Sequence, residues 1–230
     1  MTTIQENLTE LLTELNGTNV RLVAVSKYHP IPMLQEAYDA GQRIFGESHV
    51  QELDEKEKVL PKDIEWHFIG HLQTNKVKYI APYVSLIHAV DTLKLLKEID
   101  KQAEKAGRTI DCLLQVHVAK EETKFGFLPD ELREMREGSD WKELKNVRIR
   151  GLMCMATNTD DENQIHREFH EVKELFDELK NRHFQNDSAF TELSMGMSED
   201  YKIAIAEGST MIRVGSRIFG RRPTPQAPSL

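Results

Sequence analysis

Cysteine is scarce in this 230-residue chain: Cys112 and Cys154 each lie in an apolar segment, outside any Cys/His spacing of a zinc site. That argues against a disulfide framework or a structural zinc centre, and both thiols are expected to be reduced and buried. No apolar run is long enough to span a bilayer. The opening stretch, MTTIQENLTELLTELNG, is polar and amphipathic, without the apolar core of a signal peptide. A cytoplasmic location with no membrane partner is the expectation. An excess of positive charge is missing too, because 30 Lys and Arg stand against 38 Asp and Glu, a formal charge of −8, with the two signs interspersed. Nucleic acid, held mainly through its phosphates, is therefore not an expected partner. Neither an internal repeat nor a low-complexity linker divides the chain.

What is present is alternation. Short β-branched runs recur at Arg21–Ser26, Arg43–Gly46, Glu65–Gly70, Val84–Val90, Ile110–Val118, Val147–Met153, Phe190–Ser194 and Met211–Gly215. Segments with helical spacing lie around them, at roughly 2–15, 31–40, 48–59, 73–81, 91–106, 129–138, 160–181 and 198–206, several opened by Ser, Thr, Asp or Asn. After one extra leading helix, eight strands alternate with the seven helical segments between them, which predicts a parallel sheet in the α/β class. The expectation is a single (β/α)8 TIM barrel over residues 1–220, with an open doubly wound sheet as the alternative. The tail 221–230, RRPTPQAPSL, carries three prolines and little to bury, so disorder is expected there.

In such barrels function gathers where strands end and the following loops begin. Three strand ends stand out. In VAVSK, alternation puts Lys27 on one face with Val23 and Val25. If that face is the barrel interior, Lys27 is an amine placed to attack an aldehyde; otherwise it turns out to solvent. In LSMGMS, Gly196 permits a tight turn and Ser198 can offer a hydroxyl and a backbone N–H at a helix start, or simply cap that helix. In MIRVGSRIFG, Arg213 stands in an apolar strand and needs an acceptor, and Gly215 and Ser216 open a short helical turn. Together the last two match the phosphate cup that TIM barrels build after strands seven and eight. A reactive lysine, a phosphate cup and an inward arginine suit one phosphorylated aldehyde.

The segments VAVSKYHP, FGESHVQEL, WHFIGHLQTNK, QVHVAKEETKFG, GLMCMA and LSMGMSEDYKIAIAEGSTMIRVGSRIFG closely resemble the signatures of the pyridoxal phosphate homeostasis proteins. The barrel of that family is similar to the N-terminal domain of alanine racemase. The resemblance runs from about Arg21 to Gly220. It implies that pyridoxal 5′-phosphate (PLP) is the cofactor and that Lys27 binds it as a Schiff base. It further implies that Ser198, Gly215 and Ser216 hold the phosphate, that Arg213 faces the pyridine nitrogen, and that Met197 packs nearby. The chain departs from the family at Ser48, where Asn is usual, which puts a direct contact from that loop in doubt. Ser216, where Thr is frequent, keeps the hydroxyl.

An arginine at the pyridine nitrogen disfavours its protonation and makes the ring a poorer electron sink. Alanine racemase also draws an acid–base tyrosine from a C-terminal β domain, which this sequence is not expected to have. The resemblance thus implies a protein that holds and hands over PLP, with transient contact to PLP-dependent apo-enzymes, and without robust turnover of its own. A weakly active amino acid racemase or related PLP enzyme is the alternative, and it would need a second base, with His67, His71 and His117 as candidates. A phosphosugar-type TIM enzyme using the same cup is a further alternative. A metal site is not expected. His166 and His170 share a helix face but have no third ligand in sequence and read as a solvated surface. Lys124 is a candidate secondary amine for cofactor release.

Overall fold

Eight parallel strands close on themselves in the order in which they occur in the sequence: β1 (Arg21–Val25), β2 (Ile44–Glu47), β3 (Glu65–Phe68), β4 (Leu86–Val90), β5 (Ile110–Val116), β6 (Val147–Cys154), β7 (Glu192–Ser194) and β8 (Met211–Val214). The structure is a computed structural model and describes residues 2–120, 125–135 and 138–221. Closure is made by β8 against β1, with Val23 opposite Arg213 and Ala24 opposite Val214. The barrel expected from the alternation is the observed fold, and the open sheet is not.

Around the strands lie α1 (Thr3–Glu14), α2 (Ile31–Asp39), α3 (Val50–Val59), α4 (Val77–Ile80), α5 (Leu93–Lys105), α6 (Pro129–Arg133), α7 (Glu162–His183), α8 (Tyr201–Ala206) and α9 (Ser216–Phe219). The extra leading helix is α1. Thr2 and Gln5 close its start with reciprocal hydrogen bonds, and Ile4, Leu8 and Leu11 form its buried stripe. Each such side chain contributes about 1.5–3 kcal/mol by leaving water. The Thr92 side chain caps α5 by accepting the Leu95 N–H, and Asp161 caps α7 by accepting the Gln164 N–H. The segment expected as one helix over 73–81 is split into a 3-10 turn, Thr74–Lys76, and the short α4.

Alternation sorts the strand residues into two cores. Side chains facing the helices, such as Phe45, Trp66, Phe68, Ile87 and Leu114, belong to the large core between strands and helices. Val23, Leu86, Leu113, Met153 and Met211, with Ile44 against them, fill the barrel interior. Val23 is thus on the inward face, which settles the question posed for β1. Cys112 and Cys154 are free and buried, and burial raises the Cys112 thiol pKa. Among the described residues no helix is long and apolar enough to cross a membrane.

Candidate functional site

The C-terminal ends of the strands surround a cavity of about 750 Å3, and Lys27, Met197, Ser198, Arg213, Gly215 and Ser216 all line it. Three separate stretches of sequence therefore meet in one place.

Lys27 follows the last residue of β1 by two positions, in a turn, with Val25 lining the cavity beside it. Tyr28 holds that turn with φ +68°, a left-handed conformation unfavourable for a bulky residue. A buried polar clamp behind the turn stabilises it. Lys56 of α3 donates to the Ser26 carbonyl at 2.9 Å and pairs with Glu47 at 2.8 Å and Glu52 at 2.7 Å. Glu52 accepts the Tyr28 N–H at 2.6 Å, and the Ser26 hydroxyl donates to Glu47 at 2.6 Å. The second oxygen of Glu47 is buried with no hydrogen-bond partner among the described residues, and burial pushes the carboxyl up to about 7 against the pull of Lys56. Sequence reasoning did not find this clamp. A signal existed: Lys56 lies three residues after Leu53 and four before Leu60, on the buried stripe of α3, where a solvated lysine does not belong.

The phosphate-cup segments meet as expected, with one correction. Ser198 does not start or cap a helix; α8 begins at Tyr201, after a turn in which Asp200 accepts the Met197 N–H at 2.6 Å. The reason lies at Gly196, which takes φ +101° and packs so tightly that a Cβ there would come within 2.6 Å of the Ala204 Cβ. The chain must turn before it can coil. Ser198 Oγ is thereby freed to bridge the loops, accepting the Gly215 N–H at 3.4 Å. A Cβ on Gly215 would sit 3.0 Å from the Val25 carbonyl oxygen, a tight contact that glycine avoids where the ends of β1 and β8 approach. Ser216 begins α9, whose first N–H groups have no intrahelical acceptor. From outside, Glu14 of α1 pairs with Arg217 at 2.8 Å and accepts from Tyr201, which holds the Glu14 carboxyl down at about 2 and anchors α9. His29 stacks on Phe219 from the β1 side.

Arg213 is 3% exposed, yet its partners are neutral: Nη1 donates to Ser194 Oγ at 2.6 Å and Nη2 to the Cys154 carbonyl at 2.9 Å. No carboxylate of a described residue forms an ion pair with it. Burial lowers its pKa, although an arginine remains charged at any ordinary pH. Its hydrogen bonds all go to neutral groups, and Asp200 acts on it only through space. The cavity it opens onto carries Asp160, Glu162, Glu199 and Asp200 on one part of its wall and, beside Arg213, an amine with hydroxyl and N–H donors that suit an electron-rich, anionic ligand. The residues present fit a phosphorylated aromatic aldehyde.

The remaining candidates fall elsewhere. Ser48 lines the cavity. His67 is buried in the barrel; His71 bonds Asp91 at 3.0 Å and stacks on Phe125; neither they nor His117 line the cavity. His166 and His170 both direct Nδ1 to Glu207, at 2.7 and 2.9 Å, and no group of three potential metal ligands forms among the described residues. Lys124 and residues 222–230 lie outside the described residues.

Fold and site together define a parallel (β/α)8 barrel with an amine just beyond β1 and hydroxyl and N–H groups after β7 and β8 on one cavity. Residues 1–223 match the family model of the alanine racemase N-terminal domain. The chain belongs to the family of pyridoxal phosphate homeostasis proteins. It is 41% identical over 203 residues to the member from Aquifex aeolicus, covering 88% of this chain and 87% of that one, and 40% identical over 213 residues to the member from Schizosaccharomyces pombe, covering 91% and 87%. Among solved structures, PipY of Synechococcus elongatus with PLP bound is 39% identical and matches with a TM-score of 0.84 over 94% of this chain and all of that one. Alanine racemase from Clostridium difficile, at 13% identity and a TM-score of 0.78, shares the fold over 98% of this chain and 58% of its own.

Proposed function

We propose that this protein binds PLP in the cavity at the C-terminal end of the barrel and takes part in keeping and distributing PLP in the cytoplasm. The observation that carries the reading is that buried Arg213, hydrogen-bonded only to neutral groups, opens onto the same cavity as Lys27, Ser198, Gly215 and Ser216. Relatives named for PLP homeostasis and a structural neighbour with PLP bound support it.

Bound PLP supplies an electrophilic carbonyl and an electron-withdrawing ring. Lys27 holds it covalently as a Schiff base, with the turn that carries the amine fixed by Lys56 and Glu52. Ser198, Gly215 and Ser216 hold the phosphate through hydroxyl and backbone donors. Met197, 38% exposed on the cavity wall, would pack beside the cofactor. Arg213 would face the pyridine nitrogen and disfavour its protonation, since two adjacent cations repel. That leaves the ring a weak electron sink, which suits storage and transfer better than turnover. Transfer would take place in brief contact with an apo-enzyme, whose own lysine amine would displace Lys27 from the carbonyl carbon and return Lys27 as a free amine.

The test is an absorbance titration with PLP, followed by mixing the loaded protein with an apo-enzyme that needs PLP. Wild type should develop a visible band that Lys27→Ala lacks, and should restore activity to the apo-enzyme. Absence of the band in wild type would overturn the reading. Rapid racemisation of a free amino acid by the loaded protein would favour an enzyme over a carrier.

A further inference from the structure

Beneath the cavity a line of polar side chains crosses the barrel interior that none of these roles uses. Ser194 Oγ, which accepts from Arg213, lies 2.9 Å from His88 Nδ1; His88 Nε2 lies 3.0 Å from His67 Nδ1. The four residues come from β8, β7, β4 and β3 and are all buried. His67 reaches a second, smaller cavity of about 210 Å3 at the opposite end of the barrel.

The protons in this line can be assigned. Burial holds His67 at about 3 and His88 well below the ordinary imidazole value, so each ring is neutral near neutral pH and carries one N–H. Arginine can only donate, so Ser194 Oγ must accept from it. If the serine hydroxyl then donates to His88 Nδ1, the His88 proton sits on Nε2 and donates to His67 Nδ1, and the His67 proton sits on Nε2. Every bond dipole in that arrangement points its negative end towards the guanidinium. The reverse order would aim a second N–H at the oxygen that Arg213 already uses and leave the hydroxyl hydrogen outside the line. Buried networks of this kind gain by polarising one another.

We propose that Ser194, His88 and His67 are positioning residues for Arg213, a one-directional chain of hydrogen bonds that fixes the guanidinium towards the cavity without cancelling its charge. The proposal rests on the reading that Arg213 faces the pyridine nitrogen of PLP. A carboxylate in place of Ser194 would hold the arginine as well but neutralise its field. The chain is therefore built from neutral groups, which, like the Cys154 carbonyl on the other guanidinium nitrogen, position a cation and leave it charged.

Two measurements test this. In the first, 15N-histidine NMR of the apo-protein should show His88 and His67 as neutral rings protonated at Nε2. An Nδ1–H tautomer or an imidazolium at His88 would overturn the chain without any variant and without cofactor. In the second, PLP labelled with 15N in its ring is bound to wild type, Ser194→Asp and Ser194→Ala. Ser194→Asp should move the ring nitrogen resonance towards that of a protonated pyridine, and Ser194→Ala should weaken PLP binding about tenfold, the effect of one acceptor lost to a buried cation. If Ser194→Asp does not fold, His88→Gln is the second variant and should also shift the resonance. Wild type that binds PLP, with variants whose resonance and affinity are unmoved, would overturn this inference alone. Wild type that binds no PLP would overturn the reading beneath it.

Discussion

The two ends of this barrel treat arginine in opposite ways. At the N-terminal ends of the strands, Arg21 pairs with Glu192 at 3.1 Å, Arg148 with Asp111 at 2.7 Å, and Arg150 with both Asp111 and Glu192 at 3.3 and 3.4 Å. At the other end Arg213, more deeply buried than any of them, has a hydroxyl and a carbonyl. Charges that only hold a fold together are neutralised within it; a charge kept in reserve for a ligand is not. The lower end is structural by this criterion, and the upper end is a site.

Replacing the arginines should separate the two ends. Arg213→Met is expected to have the largest effect on binding, a loss of PLP affinity of about ten- to a hundredfold, measured by absorbance titration. The apo-protein should unfold in urea within about 1 kcal/mol of wild type, or later, because a poorly compensated buried cation has been removed. Arg150→Met should do the reverse: PLP affinity unchanged and stability lower by about 1–3 kcal/mol, a value reduced by the partial exposure of the group. Equal effects of the two substitutions on affinity would erase the distinction.

A smaller effect is expected at Glu47, behind the Lys27 turn. Its carboxyl is raised from 4.5 to about 7 by burial, so between these values the folded protein holds a proton that the unfolded chain has released. The stability this contributes is complete below about pH 4.5 and is lost as the pH rises through about 7, with a slope of at most about 1.4 kcal/mol per pH unit. Glu47→Gln should flatten that slope. Urea midpoints of variant and wild type at about pH 5 and about pH 8 check it, and the shared contribution of the buried histidines, which has the opposite sign, cancels in the comparison.

Much of this was legible in the sequence. Most of the eight strands lie in short apolar or β-branched runs, although EWHF and ELS carry no β-branched residue, and the closed barrel was the expectation from eight strands in one unbroken composition. Arg213 could be placed because period-two alternation fixes a face from the strand alone, whereas Lys27 lies in the turn beyond β1, where alternation no longer fixes a face. What could not be read depends on closure itself. His88 bonds residues 21 and 106 positions away, and the Ser26–Glu47–Lys56 clamp joins three elements that no local pattern links. Even so, LIHAV carries a histidine on the same face as Leu86, inside the barrel, and a polar residue there was a signal of a network. The misplaced start of α8 came from reading Ser198 as a helix cap, when Gly196 packs its backbone so closely on α8 that three more residues are needed to turn.

The central claim is that Lys27 carries the cofactor at the upper end of the barrel. Its most direct test is borohydride reduction of the PLP-loaded protein followed by peptide mass spectrometry. The account predicts a single phosphopyridoxyl group on the peptide that contains Lys27, in near-stoichiometric yield. Label on another lysine, or spread over surface lysines with Lys27 unmodified, would contradict it.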